Sequence, residues 1–193
     1  MPLARNNNER WTYADYLTRP DGERWEIIDG VPYAMSPARG TLHQRISRTL
    51  SLQIGNFLHG KPCELFVAPY DVRLSERTGL TDEKVETVVQ PDLLVVCDKA
   101  RIDERGCNGA PDLIIEITSP STGCKDLTVK FDLYQRYGVK EYWIIHPEEQ
   151  TVMVFRLQEN KKYGVPERFG RAAHIAVPLL GDLLVDLADL FAE

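Results

Sequence analysis

The feature that most constrains the fold is PDLIIEIT (residues 111–118), a run in which large apolar side chains surround a glutamate. Leu113, Ile114, Ile115 and Ile117 fall on both sides of a strand, because successive side chains of a strand point to opposite faces. A strand that is apolar on both sides is normally covered on both sides. We therefore expect this strand to lie inside a sheet on which helices pack.

The N-terminal half supplies a hairpin and a helix. Asp29 and Gly30 stand together between two apolar runs, which predicts a β-hairpin. Apolar residues then recur at helical spacing from Leu42 to Leu58. Thr41 is suited to cap the start of this helix, and a glycine two residues after Leu58 is suited to end it.

The middle of the chain supplies further strands and a second helix. Residues 63–75 and 85–97 alternate with a period of two and predict paired strands. A helix is predicted over 125–137, followed by a buried strand over 141–146. The order of these elements predicts one α/β domain over 1–193, with a mixed central β-sheet flanked by α-helices.

Composition excludes several classes of protein. The chain has 193 residues, 43% hydrophobic and 27% charged, which is typical of a globular domain, and no stretch approaches a membrane-spanning run. Residues 1–11 carry no apolar segment, so we expect a flexible arm there rather than a secretory signal. The net charge of −6 argues against nucleic-acid binding through a diffuse basic surface, although a local basic groove stays possible. The 4 cysteines form no CxxC pair, and we expect reduced thiols in a cytoplasmic protein.

Two carboxylates stand where strands would favour apolar residues. Glu116 lies between Ile115 and Ile117, and Asp92 opens the apolar run 93–96. An ionised carboxylate in such surroundings is costly unless it is paired or binds a cation. Carboxylate oxygens suit Mg²⁺ or Mn²⁺. Asp92 and Glu116 on adjacent strands are therefore our candidate ligands for such an ion, with water completing its shell.

A lysine falls within the apolar stripe of the second helix. Measured from Leu127, Phe131 and Tyr134 lie within about 40° on the helical wheel, and Lys130 lies about 60° to one side. A lysine there points toward the sheet, where the carboxylates would be its partners. Carboxylates, a hard cation and a lysine are the machinery of phosphodiester hydrolysis.

Three elements of the chain resemble the Uma2 family (DUF820), a family of endonucleases in the PD-(D/E)XK superfamily. They are VVQPDLLVV (88–96), PDLIIEITSPST (111–122) and DLTVKFDLYQRYGVKEYWII (126–145). The likeness extends roughly from Tyr13 to Leu157. It implies a restriction-endonuclease-like core in the order helix, three strands, helix, strand.

The resemblance also assigns site residues by position. The superfamily's aspartate falls on Asp92 and its glutamate on Glu116. Its lysine would fall on Thr118, which cannot act as a cation, and in Uma2-like sequences the lysine has moved to the following helix, here Lys130. Glu26 resembles a further acidic position that adds a metal ligand or a water contact.

Other polar residues have simpler explanations. Asp112 stands in a second Pro-Asp dipeptide and is best explained as a turn residue. His43 lies in the apolar stripe of the first helix, which favours a buried core histidine, with a role facing the metal left open. Tyr134 is expected in the core.

These observations together predict an endonuclease that depends on Mg²⁺ or Mn²⁺ and acts on DNA. Asp92 and Glu116 would hold the metal, Lys130 would assist at the phosphate and Glu26 would be auxiliary. The resemblance implies 5′-phosphate and 3′-hydroxyl products and a homodimer. Two alternatives stay open: an inactive nucleic-acid- or partner-binding module with the same fold, and a hydrolase of another phosphate ester.

Overall fold

The computed structural model describes residues 10–20, 23–35, 40–76, 79–119 and 126–192. Within them the α-helices are α1 (Tyr13–Leu17), α2 (Thr41–Leu58), α3 (Phe131–Tyr137) and α4 (Leu187–Leu190). The strands are β1 (Trp25–Ile28), β2 (Val31–Ala34), β3 (Glu64–Val67), β4 (Val72–Arg73), β5 (Val88–Val89), β6 (Leu93–Val96), β7 (Ile102–Asp103), β8 (Gly106–Asn108), β9 (Leu113–Ile117), β10 (Glu141–His146), β11 (Thr151–Arg156), β12 (Glu167–Gly170), β13 (His174–Ala176) and β14 (Leu184–Asp186). None of the helices in these ranges has the length and apolar character that crossing a bilayer requires.

The described strands form two six-stranded sheets and a two-stranded ribbon. The first, here called the N-terminal sheet, has the order β2-β1-β5-β4-β8-β7, and the second, the central sheet, has the order β12-β11-β10-β9-β6-β3. In the central sheet β9 and β10 are parallel, whereas the other neighbouring strands are antiparallel. The predicted mixed α/β class is confirmed, but the sequence predicts one sheet where the structure has two large ones.

The two sheets separate where the predicted long strands break. The β4–β5 pair belongs to the N-terminal sheet, and the β3–β6 pair belongs to the central sheet. Between β5 and β6 stands Pro91, which has no N–H to donate and therefore interrupts the ladder. Asp92 is thus the first residue after the chain has crossed from one sheet to the other.

Helices cover both faces of the central sheet. One face of β9 packs on α2, in a core made of Ile46, Leu50, Ile54 and Leu58 with Leu113, Ile115 and Ile117. The other face packs on α3, in a core that includes Ile114, Leu133, Tyr134, Tyr142 and Ile144. The sequence-based expectation that β9 is covered on both faces is therefore confirmed.

Most of the predicted turns and helix ends agree with the structure. Asp29 and Gly30 have φ values of 50° and 75° and connect β1 to β2. Gly138 ends α3 in the left-handed conformation, with φ 81°. Thr41 is the first residue of α2 and not its cap, because Gly40 occupies the capping position without a side-chain bond. The prediction for this helix start is wrong by one residue.

The end of the expected N-terminal arm is anchored. The backbone N–H of Trp11 donates to the carbonyl of Gly30 at 2.9 Å. The Trp11 ring meets Trp25 edge to face, with 5.4 Å between the ring centroids. Trp11, the last residue of the arm expected to be flexible, is thus held against the β1–β2 hairpin, and residues 1–9 lie outside the described residues.

The expectation of reduced thiols is wrong for two cysteines. Cys63 and Cys97 form a disulfide, with their Cα atoms 3.9 Å apart. The pairing follows from strand register, because Glu64 of β3 stands opposite Val96 of β6 and the two cysteines occupy the next positions. Cys107 is free and buried, and Cys124 lies outside the described residues.

Candidate active site

The four predicted site residues come from four separate segments. Glu26 lies in β1 of the N-terminal sheet and Glu116 in β9 of the central sheet. Asp92 directly precedes β6, and Lys130 ends the helical turn that leads into α3. The exposed fraction is 2% for Glu26, 2% for Asp92, 3% for Glu116 and 4% for Lys130. The cluster is therefore almost completely removed from bulk water.

Lys130 connects the two sheets. Its Nζ lies 2.8 Å from Oε1 of Glu26 and 2.8 Å from Oε1 of Glu116. The backbone N–H of Gln90, at the end of the β1–β5 ladder, also donates to Glu26 Oε1 at 3.1 Å. One ammonium thus holds a carboxylate of each sheet, and a backbone amide fixes one of the two.

A tyrosine that sequence reasoning assigned only to the core also contacts this cluster. The Tyr134 hydroxyl donates to Glu116 Oε1 at 2.8 Å. Burial raises the pKa of Tyr134 well above its ordinary value, and the charges of Glu116 and Glu26 raise it further. The phenol therefore keeps its proton and acts as a fixed donor. Its position four residues after Lys130, one helical turn away, was the signal that could have found it.

Strand register brings Asp92 next to Glu116. Leu93 stands opposite Ile115 in the antiparallel β6–β9 pair, so Asp92, the residue before β6, lies at the end of β9 that carries Glu116. Asp92 Oδ2 accepts a hydrogen bond from the backbone N–H of Ile117 at 2.8 Å. The Asp92 carboxylate is therefore fixed to the backbone of β9 one residue after Glu116.

A second residue of the core contacts Asp92. His43 Nε2, from the first turn of α2, lies 3.1 Å from Asp92 Oδ2. The expected core histidine is partly buried, with 10% of its side chain exposed, and its contact is with Asp92. Its partner is a site residue, which no local pattern in the sequence could indicate because the two are 49 residues apart.

The helical wheel from which Lys130 was predicted to face the sheet was measured from Leu127, which does not itself face inward. Leu127 is 40% exposed, whereas Lys130 and Tyr134 face inward. The physical reason is that residues Asp126–Lys130 form a π-helical turn, which has more residues per turn than the 3.6 of an α-helix. Only from Lys130 onward does the α-helical spacing hold.

Thr118 occupies the place where the superfamily has its lysine. Its hydroxyl donates to the backbone carbonyl of Ile145 in β10 at 2.9 Å, and the residue is 8% exposed. This threonine therefore helps to hold the end of β9 to β10. The ammonium of the cluster comes instead from Lys130, which precedes α3.

The donor set fits a hard divalent ion bound through two carboxylates. The described part of the chain contains no group of three or more His, Cys, Asp and Glu side chains arranged to hold an ion. Mg²⁺ commonly binds through one or two carboxylates and keeps waters or substrate phosphates as its other ligands. Asp92 and Glu116 are both buried, and Asp92 is bonded to the amide of the residue after Glu116, so they match that pattern with oxygen donors of the preferred kind.

Comparison with known proteins identifies the family. The model of the Uma2 family, described as "Putative restriction endonuclease", matches residues 11–187. An uncharacterized protein of Synechocystis sp. is 32% identical over 117 residues, which cover 58% of this chain and 54% of that protein, so the chain spans about half the length of this curated relative. The crystal structure of a putative nuclease belonging to DUF820 from Anabaena variabilis is similar with a TM-score of 0.73 and 23% identity, over 93% of this chain and 97% of the other, and shows the same fold. Because the family model matches nearly the whole chain, the protein belongs to the Uma2 family of restriction-endonuclease-like proteins.

Proposed function

We propose that this protein is an endonuclease that hydrolyses phosphodiester bonds of DNA with the help of Mg²⁺ or Mn²⁺. The observation that carries the proposal is the buried cluster in which Lys130 Nζ lies 2.8 Å from both Glu26 and Glu116, while Asp92 Oδ2 accepts a hydrogen bond from the amide of Ile117, the residue after Glu116. The family and the shared fold support the same class of activity.

A purely structural role explains this cluster poorly. Removing a carboxylate or an ammonium from water costs several kcal/mol per ion, and apolar side chains of the same size would often stabilise the core as well or better. The chain nevertheless places three carboxylates and a lysine in one buried region, each at most 4% exposed. Strongly desolvated, convergent ionisable groups of this kind are typical of functional sites.

In the proposed site, Asp92 and Glu116 hold the ion. When bound, the ion supplies Lewis-acid chemistry, polarising the phosphate and lowering the pKa of the attacking water. The Ile117 amide fixes Oδ2 of Asp92, and the Tyr134 hydroxyl fixes Oε1 of Glu116. Both carboxylates are thus oriented before any ligand arrives.

Lys130 and Glu26 act at the phosphate in this proposal. An ammonium held close to the carboxylates stabilises the negative charge that develops on the phosphate during attack. Glu26 holds Lys130 from the side of the N-terminal sheet and is itself fixed by the Gln90 amide. Glu26 is therefore auxiliary to the lysine.

Cleavage of supercoiled plasmid tests the proposal. We expect nicking by the wild-type protein with Mg²⁺ or Mn²⁺, and none with EDTA. Glu116→Gln should lower the rate by a factor of roughly 10²–10³. Asp112→Asn is the matched control, because Asp112 is a second buried carboxylate of the same sheet, at the opposite end of β9. It should cut like the wild type.

Three outcomes would contradict the proposal. Equal rates for the wild type and Glu116→Gln would remove Glu116 from the mechanism. Binding to DNA that survives EDTA, without nicking, would favour an inactive binding module. Cleavage of a small chromogenic phosphodiester, but not of DNA, would favour a hydrolase of another phosphate ester.

Three further parts of the proposal rest on the sequence and its family resemblance. They are DNA rather than RNA as substrate, a homodimer as the working form, and a cytoplasmic location, against which the Cys63–Cys97 disulfide argues because disulfides are rare in the cytosol. Parallel assays on DNA and RNA of the same sequence, and the molecular mass in solution, test the first two.

A further inference from the structure

His43 stands at the start of α2, on the side of the central sheet opposite α3. The core residues of α2 pack on the Leu113 face of β9, whereas Lys130 and Tyr134 approach from the other face. His43 contacts Asp92 at the point where β6 begins, with Nε2 and Oδ2 3.1 Å apart. Its side chain is 10% exposed and that of Asp92 is 3% exposed. The contact is therefore well shielded from water.

We propose that His43 is a positioning residue for the metal ligand Asp92, acting through a hydrogen bond from its Nε2 to Oδ2. This inference rests on the proposed function, since it assumes that Asp92 binds the ion. It gives a definite role to a residue for which the sequence analysis left a role facing the metal open.

The first support is the convergence of two donors on one oxygen. The Ile117 amide and the His43 ring both contact Oδ2 of Asp92, at 2.8 Å and 3.1 Å. Two donors from different elements, one on β9 and one on α2, together hold the carboxylate of Asp92 in one orientation. A metal ligand oriented in this way loses about 10- to 100-fold in affinity when the supporting hydrogen bond is removed.

The second support is the parallel with the other ligand. Glu116 receives a hydrogen bond from the Tyr134 hydroxyl of α3, and Asp92 receives its ring contact from His43 of α2. Each proposed ligand thus has one aromatic side chain supporting it from a helix, on opposite faces of the sheet.

The third support is the hydrogen bond that His43 does not make. Its Nδ1 is buried and has no partner among the described residues. A buried polar atom without a partner costs about 1–3 kcal/mol. An apolar side chain would avoid this cost, so the histidine is better explained by its contact with Asp92 than by core packing.

His43 acts through Asp92 and not as a ligand itself. Within the described residues, His43 does not combine with Asp92 and Glu116 into a group arranged to hold an ion. The donor nitrogen is already directed at Oδ2 of Asp92.

A pair of amide variants tests the inference in the full-length protein. In His43→Gln the side-chain nitrogen can reach the place of Nε2, whereas in His43→Asn the same amide is too short to reach Asp92. The readout is the Kd of Mn²⁺, measured by electron paramagnetic resonance without nucleic acid. We expect His43→Asn to raise this Kd about 10- to 100-fold, and His43→Gln to stay within about threefold of the wild type.

A double-mutant cycle separates positioning from general damage to the fold. Asp92→Asn removes the proposed ligand, so His43→Asn should have no further effect on Mn²⁺ binding in that background. His43→Leu, which fills the space without a donor, should behave like His43→Asn. It replaces His43→Asn in the cycle if the latter does not fold.

Each other result would overturn the inference. If His43→Asn binds Mn²⁺ like the wild type, the inference fails while the proposed function stands. Equal loss in His43→Gln and His43→Asn, or an additive loss in the Asp92→Asn background, would show a structural role alone. If the wild type neither binds Mn²⁺ nor nicks plasmid, the proposed function fails and the inference fails with it.

Discussion

Two aspartates of this chain have the same local sequence and different surroundings. Asp92 and Asp112 each follow a proline, each directly precedes a strand of the central sheet, and they are 2% and 4% exposed. Because β6 and β9 run antiparallel, the start of β6 lies beside the end of β9, next to Glu116. The start of β9, with Asp112, lies at the opposite end. Strand direction, and not the Pro-Asp dipeptide, separates the two.

The carboxylates at the two ends of β9 also differ in how exposed their lysine partners are. Asp112 accepts a hydrogen bond from the Cys97 amide at 2.7 Å and pairs with Lys140 Nζ at 2.7 Å, but the Lys140 side chain is 60% exposed. Glu116 pairs with Lys130, whose side chain is 5% exposed. Water screens the first pair and is excluded from the second. The buried end is therefore the one with the stronger electrostatics, and the comparison can be tested residue by residue.

The largest difference is expected between the two lysines. Lys130→Met leaves Glu26 and Glu116 buried without their shared ammonium, and should lower the free energy of unfolding by about 3–5 kcal/mol. Lys140→Met removes an exposed partner and should cost less than about 1 kcal/mol. Urea unfolding of both variants measures the two values. Equal losses would show that the two ends of β9 are electrostatically alike.

The next difference is expected between the two aspartates. Asp92→Asn should raise the Mn²⁺ Kd at least roughly tenfold, because it removes a proposed ligand. Asp112→Asn should leave the Kd unchanged, since its carboxylate serves the Cys97 amide and Lys140. Isothermal titration of both variants compares them directly. A Kd that rises in Asp112→Asn would move the metal away from the Glu116 end.

Because of Tyr134, we expect the free energy of unfolding to depend on pH in the alkaline range. Its pKa is raised in the folded protein, so its contribution to stability is complete below about pH 10, the unfolded value, and is lost as pH rises further. Tyr134→Phe should cost about 1–2 kcal/mol at pH 8 by removing the hydrogen bond to Glu116. Above pH 10 the free energy of unfolding of Tyr134→Phe should fall less steeply with pH than that of the wild type. The two slopes should differ by about 1.4 kcal/mol per pH unit. Unfolding at pH 8, 10 and 11 checks both statements, and identical slopes would contradict the second.

Salt should produce the smallest and most selective effect. Raising the NaCl concentration to about 1 M shortens the screening length to roughly 3 Å, which weakens exposed pairs far more than buried ones. The cost of Lys140→Met should therefore fall by more than about half, whereas that of Lys130→Met should hardly change. A cost for Lys130→Met that falls in parallel would mean that water reaches the buried cluster.

The sequence predicts the charged residues of the cluster better than their supports. Glu116 could be nominated because a carboxylate inside an apolar strand is anomalous, and Lys130 because it falls in an apolar stripe. The contact of Tyr134 has one local signal, its position one helical turn after Lys130, whereas that of His43 has none, because its partner is 49 residues away. Hydrogen bonds between segments that are distant in the sequence can be identified only once the fold has brought those segments together.

The fold was predictable in class and less so in arrangement. The hairpin at Asp29 and the doubly covered strand β9 depend on local patterns, and both agree with the structure. The division into two sheets depends on how a proline interrupts a long ladder, and the Cys63–Cys97 bond depends on the register between two strands. Neither is encoded within a short window of sequence.

The bridge made by Lys130 has a consequence for the newly made protein. Its ammonium needs Glu26 from one sheet and Glu116 from the other, so neither half of the molecule holds the complete cluster by itself. Under the proposed function, the ability to cut DNA would appear only once the last long-range contacts have closed, and a nascent or damaged molecule would be harmless to the genome around it.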